Sequence, residues 1–169
     1  MLIVENKIVE INRSVDDIHI SKGLLMLKVL FVCIHNSARS QMAEAFFNKY
    51  AVEGDVAESA GITPGTLNPF VVRAMAEKGF DISNNETKGA FDLYKQGRLF
   101  SHVIAVCHEA TQQCPIFPGT RNVISWSFED PSTFVGDDEQ IMEKVRTIRD
   151  DIEQKVKTFI TTIQEKRPL

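Results

Sequence analysis

The sequence predicts an α/β fold: a small parallel sheet with helices covering both faces. Short continuous apolar runs recur along the 169 residues, as in strands buried on both sides. Segments with helical apolar spacing separate them. The first run also passes through a short polar loop directly into a helix, the arrangement of α/β phosphate sites.

Residues 1–25 stand apart from this pattern. LIVENKIVEINRSV alternates loosely and reads as a short hairpin or edge strand, an N-terminal extension of unassigned role ahead of a domain spanning 26–169. Residues 29–34 (VLFVCI) form the first buried strand. In 38–51 (ARSQMAEAFFNKYA), Ala38, Met42, Ala43, Phe46, Phe47 and Tyr50 repeat at helical spacing. Residues 56–60 make a second strand closed by Gly61. Asn68 and Pro69 suit the N-cap and first position of a helix through Lys78, with Gly79 beyond its end. A weaker helical stretch covers 88–98, then strands follow at 102–107 (HVIAVC) and 122–124. The last helix carries one apolar stripe: Ile141, Val145, Ile148, Ile152, Val156, Phe159 and Ile163. Ligands of such folds bind at the carboxyl ends of the strands, where Cys33, Cys107 and the segment after Ile124 emerge.

Composition excludes several classes of function. Hydrophobic residues at 43% and charged residues at 25% describe a soluble globular chain. A net charge of −4 argues against non-specific nucleic-acid binding or an acidic membrane surface. No apolar run approaches the ~20 residues of a membrane span. Glu5, Lys7 and Glu10 break up any signal-peptide core. A cytoplasmic location is expected. Three cysteines are too few and too odd in number for a disulfide framework. Each is core filler, metal ligand or reactive thiol.

The loop after the first strand answers that question for Cys33. Cys33, Ile34, His35, Asn36, Ser37, Ala38, Arg39 and Ser40 place five residues between a cysteine and an arginine, at a strand-to-helix turn. Five residues suffice to curl the backbone so that its N–H groups ring a tetrahedral oxyanion, helped by the helix N-terminus. Arg39 adds a planar fork for two oxygens. The same field favours thiolate at Cys33, and Ser40 is placed to hydrogen-bond the sulfur. Asn36 tolerates a left-handed backbone angle. The bland alternative is that Cys33 merely ends a strand and Arg39 lies on the surface.

Residues 29–45 (VLFVCIHNSARSQMAEA) resemble the active-site segment of low-molecular-weight protein tyrosine phosphatases and of the arsenate reductases built on that fold. Asp130-Pro131 matches the family's second signature, and the resemblance covers about residues 27–165. It implies a three-layer sandwich around a four-stranded parallel sheet. It also implies that Asp130 is the general acid protonating the leaving oxygen; alone, Asp130 reads as a turn residue before proline.

Cys107 and Cys114, seven positions apart, resemble the thiol pair of the thioredoxin-coupled arsenate reductases. The resemblance implies a relay. Cys33 attacks arsenate, Cys107 attacks Cys33 with release of arsenite, and Cys114 carries the disulfide outward to thioredoxin, so that 107–114 must refold between steps. No bound cofactor is expected, and weak phosphatase activity accompanies the same loop. The alternative is a phosphatase that hydrolyses phosphate monoesters through a cysteinyl-phosphate, with Cys107 as core and Cys114 as a loop thiol. Ser132 and Thr133 stand where such phosphatases commonly carry tyrosines. The cysteines lack the close spacing of a zinc site. Some reductases of this type hold potassium near the loop. Asn36, Glu44 and Ser59 match positions used there, whereas Gly89 stands where an acidic residue is expected.

Overall fold

The computed structural model describes residues 26–167. The reading of 1–25 as a hairpin or edge strand lies outside the described residues. The chain runs β1 (Lys28–Cys33), α1 (Arg39–Tyr50), β2 (Val56–Gly61), α2 (Pro69–Glu77), α3 (Ala90–Lys95), β3 (His102–Ala105), α4 (His108–Gln113), β4 (Asn122–Ser125) and α5 (Asp138–Glu165). A 3₁₀ turn, Pro131–Thr133, precedes α5. The strands form one parallel sheet in the order β2-β1-β3-β4, the α/β architecture expected.

Strand β1 lies at the centre because nothing in it needs water. Val29, Leu30, Phe31 and Val32 are fully buried. Successive strand residues point to opposite faces, so both faces of β1 are covered. On one side Phe31 packs against Phe47 of α1 and against Trp126, which in turn meets Phe159 of α5. Helix α2 packs on α5, and α4 touches β1 and β3.

Helix ends are set by local chemistry. The Asn68 side chain accepts from the Phe70 and Val71 N–H groups at 2.9 and 3.3 Å, with Pro69 behind it. Asp137 and Gln140 form a capping box that starts α5 three residues before its apolar stripe.

The differences from expectation are confined to boundaries and to one element. The third strand ends at Ala105, not at Cys107. Beyond it the chain turns into α4, which the sequence did not announce: of HEATQQ only Ala110 is buried, so there is no apolar period to read. The stretch over 88–98 narrows to Ala90–Lys95, stopped where Gly97 takes a φ of 68°. Strand β1 starts at Lys28 and stops at Cys33, one residue earlier at each end than expected.

Candidate active site

The strand order decides what meets at the site. β1 and β3 are neighbours, Val32 pairs with Ala105, and the Val106 N–H bonds the Val32 carbonyl at 2.8 Å. Cys33 and Cys107 therefore leave adjacent strands at the same end of the sheet, both almost wholly buried.

After Cys33 the loop curls back on its own sulfur. The Asn36 N–H points at Cys33 Sγ at 3.1 Å, and Ser40 Oγ lies 3.0 Å from it. The turn needs Asn36 at a φ of 52°, among the described residues the sole non-glycine in the left-handed region. Its side chain holds it there. Asn36 Nδ2 donates to Ser40 Oγ at 2.9 Å and Ser59 Oγ at 2.8 Å, while Oδ1 accepts the Lys88 N–H at 2.8 Å. Gln41, itself gripped by Asn85, donates to the Asn36 carbonyl at 3.1 Å. Gly61 on β2 is required for this fit, since a Cβ there would stand 2.8 Å from the Asn36 nitrogen.

Arg39 and Asp130 meet above the loop. Arg39 Nη2 lies 2.8 Å from Asp130 Oδ2, and Nη1 donates to the Phe128 carbonyl at 3.0 Å. Asp130 Oδ1 accepts from the Ser132 N–H at 2.9 Å and its hydroxyl at 2.8 Å. Burial pushes the Asp130 carboxyl up, but the two Ser132 donors and the charges of Arg39 and His35 outweigh it and hold it below its ordinary value. In this resting arrangement Asp130 is ionised, and the guanidinium fork is turned to protein oxygens rather than toward an open ring.

Between them lies a cleft of about 400 Å³, lined by Ile34, His35, Arg39, Cys107, Phe128 and Asp130 among others. Of the expected residues, the loop from Cys33 to Ser40, Asp130 and Cys107 are brought together. Cys114 is not: it ends α4, half-buried, with its thiol facing the Pro115 carbonyl at 3.6 Å. All three cysteines are free. Burial raises the Cys107 thiol and pushes Cys114 up to about 11, so both are protonated at neutral pH.

Sequence reasoning missed the Phe128 carbonyl, which as backbone carries no signal. It also missed the grip of Ser132 on Asp130, which the Asp-Pro-Ser turn sequence could have revealed. The residues matched to a potassium site do meet, yet they do not fit the ion. Ser59 donates to Glu44, Asn36 donates to Ser59, and the Lys88 ammonium stands 3.9 Å from Glu44. A lysine ammonium already faces the carboxylate.

Fold and site together describe a class: an α/β domain holding a buried thiol inside a loop of five residues between a cysteine and an arginine, with that arginine paired to a carboxylate beside it. The chain belongs to the low molecular weight phosphotyrosine protein phosphatase family, which it matches over residues 28–169. Within that family its similarity runs to arsenate reductases. The arsenate reductase of Halalkalibacterium halodurans is 38% identical over 136 residues, 79% of this chain and 95% of that one. A solved arsenate reductase in its oxidised state superposes with a TM-score of 0.69 at 28% identity, covering 82% of this chain and 99% of its own. A thioredoxin-dependent arsenate reductase of Corynebacterium glutamicum gives 0.62 at 26% identity, over 84% of this chain and 63% of its own.

Proposed function

We propose that this protein reduces arsenate to arsenite by a three-thiol relay regenerated by thioredoxin, in the cytoplasm. The observation that carries the reading is Cys107: a second buried thiol, in the wall of the cleft and just past the end of the strand beside that of Cys33. Phosphate-ester hydrolysis has no use for it.

The chemistry follows from the groups present. Arsenate enters the loop and draws the Arg39 fork away from Asp130. Asp130 keeps its Ser132 donors but loses the Arg39 charge and faces the incoming anion, so its proton affinity rises; protonated, it is the acid for the departing oxygen. The Cys33 thiolate, held by the Asn36 N–H and Ser40, forms the sulfur–arsenic bond as a water leaves. Cys107 then attacks the Cys33 sulfur, its thiol proton passing to an oxygen of the departing arsenite. A disulfide forms, the electron pair of the sulfur–arsenic bond stays on arsenic, and arsenite departs. Cys114 next attacks Cys107 and frees Cys33. A thioredoxin dithiol reduces the remaining disulfide and is itself oxidised.

The last internal exchange forces α4 to unwind. Seven residues at helical rise separate the Cα atoms of Cys107 and Cys114 by about 10 Å, whereas a disulfide tolerates at most about 7 Å. Six residues with one buried side chain make this a cheap element to melt. Unwinding also exposes Cys114 to water and removes the burial that raises its pKa, so the thiol becomes reactive when it is needed.

The test is arsenate-dependent NADPH oxidation with thioredoxin and thioredoxin reductase, beside hydrolysis of p-nitrophenyl phosphate. Turnover of arsenate that disappears in Cys107→Ser and Cys114→Ser, with weak ester hydrolysis intact in both, supports the relay. Strong ester hydrolysis with no NADPH consumption would establish the phosphatase instead.

A further inference from the structure

Helix α4 has to open for the second exchange, and its contacts show what holds it shut. Its apolar anchor is Ala110, the one buried side chain of the six. The side-chain hydrogen bond from Gln112 to His108, at 3.3 Å, stays within the helix and cannot dock it. Among the described residues one side-chain hydrogen bond of α4 reaches another element. Ser125 Oγ, at the end of β4, lies 2.9 Å from Thr111 Oγ1.

The direction of that bond is readable. Thr111 Oγ1 donates its single proton to the Cys107 carbonyl at 3.3 Å, four residues back. It has none left for Ser125, so Ser125 donates and Thr111 accepts. Ser125 is itself held by the sheet. It pairs with Ala105 of β3, and the next N–H, that of Trp126, bonds the Ala105 carbonyl at 2.7 Å. Trp126 is buried against Phe31 and Phe159. The two hydroxyls therefore link a fixed strand end to the backbone of Cys107 and close the first turn of α4. Cys114 closes the last turn, its N–H on the Ala110 carbonyl at 2.9 Å.

We infer that Ser125 and Thr111 form a clasp that keeps α4 folded against the sheet and so sets how often Cys114 is exposed. They are positioning residues, since neither touches the oxyanion or a sulfur. Thr111 and Ser125 are exposed, so water competes for both hydroxyls and the bond is worth less than a buried one. A weak clasp suits a helix that opens in every turnover. Losing it multiplies the open population a few fold without melting the domain. The inference rests on the relay for its use, but the clasp itself is observable without arsenate.

Alkylation of the reduced protein by iodoacetamide, read cysteine by cysteine from peptide masses, tests it. Ser125→Ala and Thr111→Val should each speed Cys114 about threefold, the low end of a hydrogen bond's net worth, with the Cys33 rate and the urea midpoint unchanged. Thr111→Ser keeps the hydroxyl and should react like wild type. Ser125→Ala should add nothing in the Thr111→Val background, because the second change finds the bond already gone. Wild-type reactivity of Cys114 in both single variants would overturn the inference, as would effects that multiply in the double variant. Acceleration of all three thiols with a lower midpoint would overturn it too, since the hydroxyls would then support the whole domain. The relay fails separately: the expected Cys114 rates in a protein that does not turn over arsenate would fault the proposed reaction and leave the clasp standing.

Discussion

Replacing Gly61 by alanine tests whether the loop, rather than the mere presence of its residues, makes the site. A Cβ at Gly61 would stand 2.8 Å from the Asn36 nitrogen, 2.8 Å from the His35 carbonyl carbon and 2.9 Å from the Ile34 oxygen. Ordinary contacts to carbon need roughly 3.5–4.0 Å, so the shortfall is about 0.7 Å or more. All three atoms are backbone, and none can swing aside. Gly61 cannot retreat either: it pairs with Cys33 across the sheet, and its N–H bonds the Lys88 carbonyl at 2.7 Å. The nucleophile loop must give. Overpacking of this kind destabilises by about 1–3 kcal/mol, and displacing reacting groups by about 1 Å costs on the order of 100-fold in rate. The assay is arsenate turnover and Cys33 alkylation on protein confirmed folded, beside a urea titration. Gly79→Ala is the control. It sits at a φ of 82° with nothing within 4 Å, so it should lose about 1 kcal/mol of stability and no activity. Full activity in Gly61→Ala, or equal loss in both variants, would refute the reasoning.

Other substitutions read other parts of the argument. Asp130→Asn should lower turnover by roughly 10²–10⁴-fold through loss of the acid, while inorganic phosphate, measured by calorimetry, binds no more weakly than to wild type. Weaker phosphate binding would show that Asp130 orders the loop instead of competing for Arg39. Glu153 is raised by burial but held down to about 2 by Lys157, Lys78 and Tyr50. Its contribution should be fully present above the ordinary carboxyl range near pH 4.5 and lost as pH falls through about 2. Glu153→Gln should therefore cost about 2 kcal/mol at neutral pH, discounted for the partly exposed lysines, and the two urea midpoints should converge in acid. Parallel midpoints would remove Glu153 from the account. Ile152→Ala, at a fully buried position of the α5 stripe, should cost about 2–5 kcal/mol in the same titration and leave turnover per folded molecule unchanged.

What could be read in advance was whatever repeats or sits at fixed spacing. The run in β1 and the stripe of α5 announce themselves because burial is unbroken from Val29 to Cys33 and recurs from Val145 to Phe159. The Cys33–Arg39 loop is legible because its geometry is local, and Asn36 duly takes the left-handed angle. Helix α4 was illegible because one buried alanine in six residues leaves no period. Lys88 was hidden for a different reason. Its N–H pins the Asn36 side chain from 52 positions away, and a backbone group at that separation leaves no mark in the sequence. The expectation that 107–114 refolds found its physical content only in the length of α4.

The contact of Arg39 with Asp130 and the Phe128 carbonyl also bears on which ions the protein ignores. An incoming anion must outbid two oxygens that already hold the guanidinium. Chloride or nitrate, with a single charge and no tetrahedral array of acceptors, brings too little to turn it, however abundant it is. A doubly charged tetrahedral ion brings enough. That threshold sorts ions by charge and shape, and on both counts phosphate and arsenate are twins. Discrimination between them then falls to the step after capture, since arsenic accepts an electron pair from the thiols and phosphorus does not. Phosphate would pass in and out as a reversible competitor, and the rate with arsenate in a cell would depend on the ratio of the two ions more than on either concentration alone.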